Sequence, residues 1–123
     1  MKRILVAEDN AVNRELLREM LEVFGCDVVE ARDGHEALAT MEESAPDLVL
    51  LDINMPGMNG FDVLKRIREH PTFSDIPVFA VTAYAMKEDQ ERVLEAGFHA
   101  YLPKPISSSL LFTELKRFGV VAS

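Results

Sequence analysis

Asp47 to Gly60 read DLVLLDINMPGMNG. Leu48, Val49, Leu50 and Leu51 form an unbroken apolar run without alternation, which suits a strand buried on both faces of a parallel sheet. The run stops at Asp52, and Pro56, Gly57, Asn59 and Gly60 follow closely, so the chain leaves the sheet through an irregular loop before another helix begins. Asp52 therefore belongs at the carboxyl end of a central strand. In open α/β sheets that edge is where ligands and chemistry are placed.

Working outward, the same alternation recurs on both sides. Arg3 to Glu8 reads as a strand, and Asn10 as the N-cap of a helix from Ala11 to about Phe24. Leu17, Met20, Leu21 and Phe24 form its apolar stripe, with Arg14, Glu15, Arg18, Glu19 and Glu22 on the other side. Val28, Val29 and Ala31 make a second strand. Asp33-Gly34 opens a helix through Met41, and Pro46 ends that unit. Beyond the central strand, Phe61 to Glu69 is a helix that His70-Pro71 breaks. Val78 to Val81 is a second fully apolar strand, ending at Thr82. Lys87 to Ala96 is a charged helix closed by Gly97, and Ala100 to Leu102 is the last strand. A serine-rich cap, Ser107 to Ser109, starts a final helix to about Phe118. Five strands alternating with five helices predict a doubly wound α/β fold of the flavodoxin-like kind, strand order 2-1-3-4-5. Residues 1–119 form the domain and 120–123 a short tail.

With 123 residues and 48% hydrophobic content, the chain fills one core and no second. Thirteen basic against twenty-one acidic residues leave a net charge of -8, which argues against direct binding to nucleic acid or anionic lipid. Met1 to Ala7 imitate the start of a signal peptide, but Glu8 and Asp9 cut the apolar run short, and no run is long enough for a membrane span. A single cysteine, Cys26, has no internal partner and reads as packed and inert. A cytoplasmic location is expected.

Parallel strands would deliver Glu8, Asp9, Asp52, Thr82 and Lys104 to one crevice. Taken singly, each is an ordinary cap or solvated charge. Together, three crowded carboxylates repel one another unless a cation sits among them. A hard divalent ion is implied: Mg2+, which favours few carboxylates plus water and phosphate oxygens, with Mn2+ as the other candidate.

These residues carry a family resemblance. The Glu8-Asp9 pair, the aspartate of LLDINMPGMNG, Thr82-Ala83 after VFAV, Tyr101, and Lys104-Pro105 together resemble a response-regulator receiver domain of bacterial two-component signalling, over essentially the whole chain. The resemblance implies that Asp52 accepts a phosphoryl group from a histidine kinase or histidine phosphotransfer protein. Asp9, Asp52 and the Asn54 backbone carbonyl would hold Mg2+, Glu8 acting through water. Lys104 and Thr82 would contact the phosphoryl oxygens, while Thr82 and Tyr101 form the switch. Asn54 and Tyr84 would set the lifetime of the acyl phosphate. The family's bond between the lysine and the following proline is usually cis, and Pro103 departs from the commoner residue before that lysine.

The expected activity is self-phosphorylation and self-dephosphorylation without turnover of an external substrate. Downstream effectors would read the face made by the fourth helix, fifth strand and fifth helix. Stand-alone receivers in cell-division, polarity or motility control are the nearest comparison, and a receiver excised from a hybrid histidine kinase is the alternative. An aspartate-nucleophile phosphatase of the haloacid-dehalogenase type is disfavoured because Asn54 stands where that family has its acid. A flavodoxin is disfavoured because Glu8-Asp9-Asn10 replaces its phosphate cradle. A pseudo-receiver is disfavoured by the intact Asp9, Asp52, Thr82 and Lys104.

Overall fold

Alternate residues of the apolar strands feed two separate hydrophobic layers, and this is why those strands lack any polar–apolar alternation. In the computed structural model, which describes residues 1–83 and 86–121, the elements run β1 (Arg3–Ala7), α1 (Ala11–Val23), β2 (Asp27–Ala31), α2 (Gly34–Ser44), β3 (Leu48–Asp52), α3 (Gly60–Glu69), β4 (Val78–Thr82), α4 (Lys87–Glu95), β5 (Ala100–Pro103) and α5 (Ser108–Arg117). All strand pairs are parallel, in the order β2-β1-β3-β4-β5. Leu5, Val49, Leu51 and Ala80 face one way, onto Met41 of α2, Val63, Leu64 and Ile67 of α3, and Val93 of α4. Ile4, Val6, Leu48, Leu50, Phe79 and Val81 face the other way, onto Leu17 and Leu21 of α1 and Leu111 and Leu115 of α5. Every residue of β3 and β4 is buried as a result. Tyr84 lies outside the described residues.

The helix starts follow the expected chemistry: Asn10, Asp33 and Ser107 each accept a backbone N–H from the first turn of their helix. Asn59 adds a reciprocal capping box with Asp62. Three local expectations need correction. Arg14 and Arg18 are not on a purely solvated face of α1, because their long side chains reach across to Glu30 of β2, Nε of Arg14 at 3.6 Å and Nη2 of Arg18 at 3.0 Å. α2 runs past Met41 to Ser44 and ends at Ala45 in a left-handed conformation, φ 47°. The segment after Gly119 is not wholly a tail: the Val120 N–H donates to the Leu115 carbonyl at 2.9 Å, and Val120 and Val121 pack on the layer beneath α5. Gly119, at φ 73°, makes the turn that folds them back.

Gly60 closes the loop that follows Asp52. Its N–H donates to the Ile53 carbonyl at 2.9 Å, and a Cβ there would lie 2.6 Å from Ile53 Cα and 3.0 Å from the Asp52 carbonyl oxygen. Both obstacles are backbone and cannot rotate away. Gly60→Ala is therefore expected to cost at least the roughly 1–3 kcal/mol typical of overpacking, read as a lower urea midpoint. An unchanged midpoint would show that the loop yields freely.

At the opposite edge of the sheet, His99 Nδ1 accepts from both the Val78 N–H and Arg68 Nη2, each at 3.2 Å. Two donors on one nitrogen require the neutral ring with its proton on Nε2. Burial and then the charge of Arg68 push the His99 pKa down. Because the folded value lies below the unfolded one, the stabilisation is complete above the unfolded pKa, near 6.5, and is lost as pH falls through the folded value. Wild type should lose more stability than His99→Asn, which keeps an acceptor without titrating, between about pH 7 and about pH 5 in urea unfolding. Parallel pH profiles for the two proteins would remove His99 as the cause.

Candidate functional site

The carboxyl ends of β1, β3, β4 and β5 meet side by side. Ala7 pairs with Leu51, Asp52 with Val81, and Thr82 with Pro103, so the residues at these ends share one edge of the sheet. Among the described residues, the buried polar side chains are Glu8, Asp52 and Thr82, each about 1% exposed, and all three belong to this edge. A core that excludes polar groups elsewhere has gathered them here.

Lys104 holds the carboxylates together. Its Nζ donates to Asp52 Oδ2 at 3.1 Å and to Glu8 Oε1 at 3.2 Å. Glu8 Oε2 is 3.1 Å from the same nitrogen but makes no hydrogen bond, so it is an ion contact with an unmet lone pair. The lysine is positioned by its own N–H, which donates to the Thr82 carbonyl at 2.8 Å, and the Lys104–Pro105 bond is cis as expected. Pro103 is accommodated because it is the last residue of an edge strand, and the ladder resumes at Lys104.

Burial raises the Glu8 pKa and the charge of Asp52 raises it further, against the opposing pull of Lys104. For Lys104, burial acts downward, but the attraction of Asp52 and Glu8 outweighs it and the pKa is raised. The ammonium is thus held firmly charged between two carboxylates. Asp9 completes the group from an exposed position, with one oxygen from each of Glu8, Asp9 and Asp52 lying within 4.8 Å of the others. Three carboxylates face one lysine, so the site carries excess negative charge and oxygen donors, the chemistry of a hard divalent cation. The unmet lone pair of the buried Glu8 points to the same need.

Asn54 lies on the loop after β3. Its N–H donates to Asp52 Oδ1 at 2.9 Å, and its side-chain amide donates to Thr82 Oγ1 at 3.3 Å. The second bond was not foreseen, since spacing alone does not reveal which way an exposed amide turns. Also unforeseen is the support beneath Glu8. Arg14 Nη1 donates to its carbonyl at 2.9 Å, and the Asn10 N–H and Asn13 Nδ2 donate to its carboxylate at 3.3 and 3.5 Å. The available signal was Asn10, Asn13 and Arg14 just downstream of Glu8. Beside these groups opens a cleft of about 700 Å³ that runs from Asp9, Asn54 and Thr82 to Phe61 and Arg92, the last stacked 4.9 Å over the Phe61 ring.

Tyr101 is half-buried on β5 and pairs in register with Ala80. Because side chains alternate, Ala80 and Thr82 lie on one face of β4, the face that Tyr101 also occupies. Thr82 and Tyr101 are therefore diagonal neighbours on adjacent strands. Outside them, Gln90 and Leu94 of α4 and Leu110, Glu114 and Arg117 of α5 border a groove of about 450 Å³ that includes Tyr101.

The family model for the response regulator receiver domain matches residues 4–116. The chain belongs to this family. The polar-differentiation response regulator DivK of Brucella anthropi is 39% identical to this receiver over 117 residues, covering 95% of each chain. Among solved structures, the Vibrio cholerae chemotaxis protein CheY4 superposes with a TM-score of 0.88 at 29% identity, covering 95% of the receiver and 98% of its own chain. The receiver domain of the Pseudomonas aeruginosa sensor histidine kinase PA1611, whose active-site cleft coordinates a magnesium ion, gives 0.86 at 34% identity, covering 94% and 95%. The protein is thus a receiver of two-component signalling, a class that works with histidine kinases and phosphotransfer proteins and binds Mg2+ in an acidic pocket. No helix among the described residues is long and apolar enough to cross a membrane.

Proposed function

We propose that this receiver is a phosphorylation switch in which Asp52 is the acceptor. One observation carries the reading: the Asp52 carboxylate is buried at the end of the central strand, yet one of its oxygens touches the Lys104 ammonium and the other the Asn54 N–H. An Asp52 oxygen attacks phosphorus of a donor phosphohistidine, the P–N bond breaks, and its electron pair stays on the imidazole nitrogen. The product is an acyl phosphate on Asp52. Lys104 and the Thr82 hydroxyl receive the phosphoryl oxygens, and the strand end fixes the in-line approach. Asp9, Asp52 and the Asn54 carbonyl would hold Mg2+, with Glu8 acting through water. That ion supplies neutralising charge to the phosphoryl oxygens. Asn54 and Tyr84 govern how readily water reaches the acyl phosphate, and the protein acts in the cytoplasm. Likeness to the polar-differentiation regulators supports an output in polarity or division control.

The outward signal passes from Thr82 to Tyr101. A phosphoryl group brings about two negative charges, and Thr82 moves toward it. Space opens on the sheet face the two residues share, so Tyr101 turns further inward and reshapes the groove between α4 and α5 that effectors read. Each tenfold change in effector affinity requires about 1.4 kcal/mol of differential stabilisation. Thr82→Ala and Tyr101→Ala should each blunt the phosphorylation-dependent change in partner binding, measured by titration before and after phosphorylation. If both variants keep the full change, the signal leaves Asp52 by another route.

A further inference from the structure

We propose that the Asn54 side chain is a positioning residue for the Thr82 hydroxyl, aiming its hydrogen bond toward the group on Asp52. The inference rests on Asp52 being the phosphoryl acceptor, and it gives Asn54 a task beyond its backbone contacts and its effect on lifetime. Asn54 is exposed, whereas Thr82 is buried at the end of β4, so the 3.3 Å amide-to-hydroxyl bond reaches from the rim into the floor of the site. Through its backbone the same residue holds the acceptor carboxylate at 2.9 Å. One residue thus touches both the acceptor and the switch hydroxyl, which otherwise belong to different strands.

The chemistry of the donor sets the direction. A hydroxyl has one hydrogen to give and two lone pairs to receive with. When one lone pair takes the Asn54 amide hydrogen, the hydroxyl hydrogen is turned away from Asn54. Donors then run in series, from amide to hydroxyl to phosphoryl oxygen, and each bond polarises the next. A carboxylate at residue 54 reverses this order. It can only accept, so it takes the Thr82 hydrogen for itself and denies it to the phosphoryl oxygens.

The test has two arms. In the first, exchange of the Asn54 side-chain amide protons is followed by NMR in the unphosphorylated protein, in wild type and in Thr82→Val, whose shape is close but which offers no acceptor. Exchange should accelerate in the variant, and equal rates would overturn the contact. In the second, binding of beryllofluoride with Mg2+, a phosphoryl mimic, is titrated in wild type, Asn54→Ala, Thr82→Ala and the double variant. Asn54→Ala should weaken binding about fivefold when Thr82 is present, as expected for one neutral hydrogen bond, and should have no further effect when Thr82 is absent. Equal losses in both backgrounds would show that Asn54 acts independently of Thr82. If wild type binds no mimic, the phosphorylation reading fails, and the exchange arm still decides whether Asn54 holds Thr82.

Discussion

Asp52→Asn is expected to take up no phosphoryl group from a small phosphodonor with Mg2+, where the wild type takes up one. The asparagine side chain keeps the size of aspartate, but its nitrogen lone pair is delocalised and its oxygen carries no full charge, so neither atom is a useful nucleophile. No neighbour is equivalent. Glu8 is buried at about 1% exposure with its carboxylate drawn to Lys104, and Asp9 stands exposed at the rim without that lysine contact. Removing the Asp52 charge also removes one of the influences that raise the Glu8 pKa, which should fall toward the ordinary carboxylate range. Intact mass after incubation reads the result directly, with a chelator as the second condition. Undiminished labelling of Asp52→Asn, or labelling of wild type in chelator, would mean that the acceptor lies elsewhere.

Lys104→Met should be the most damaging change to the site that leaves Asp52 in place. Methionine keeps most of the length but strips the ammonium from between two carboxylates that are 1% and 2% exposed at their side chains. Breaking a buried ion pair on one side costs roughly 3–5 kcal/mol, and proton uptake by Glu8 caps the loss. Glu8 loses both influences that lower its pKa, so its folded-state value, already raised, climbs further. An acid with a raised folded pKa stabilises the fold below its unfolded pKa and loses that contribution as pH rises through the folded value. The variant's deficit should accordingly be largest at neutral pH and shrink on acidification. Added Mg2+ should recover more stability in the variant than in wild type, because the remaining carboxylates bind it without competition from the lysine. Phosphoryl uptake should fall by roughly a hundredfold, the scale for losing one preorganised charge contact. Lys104→Arg should restore charge but not function, since a broad fork does not replace a compact ammonium. Urea unfolding across pH, with and without Mg2+, checks the first part. A stability equal to wild type at neutral pH would show that Lys104 is not the counter-ion of this cluster.

The strand order came with the flavodoxin-like class, whereas the LVLL run before Asp52, the matching run before Thr82, and the polar residues that end the strands were enough to predict the parallel sheet and the edge where the chemistry collects. These features are local. A strand buried on both faces must be apolar at every position, and a polar residue ends such a run wherever the chain emerges from the core. Parallel topology placed Lys104 at the same edge as Asp52 and family resemblance implied the cis bond after it; in the folded chain the Lys104 ammonium lies 3.1 Å from Asp52 and the bond is cis. The tertiary structure alone decided what depends on reach or close approach. Arg14 and Arg18 were assigned to solvent by helical spacing, yet their flexible side chains turn back to the edge of the sheet. Gly60 read as one loop glycine among several, until the backbone of Ile53 proved to lie where its Cβ would be. Val120 and Val121 read as a tail because nothing in their order tells that they pack on the hydrophobic layer beneath α5. Asn54 was placed near Asp52 by sequence, but its bond to Thr82 joins residues 28 positions apart. Periodicity records which face of an element is buried; it carries no record of where a long or polar side chain finds its partner, because that partner comes from another part of the chain.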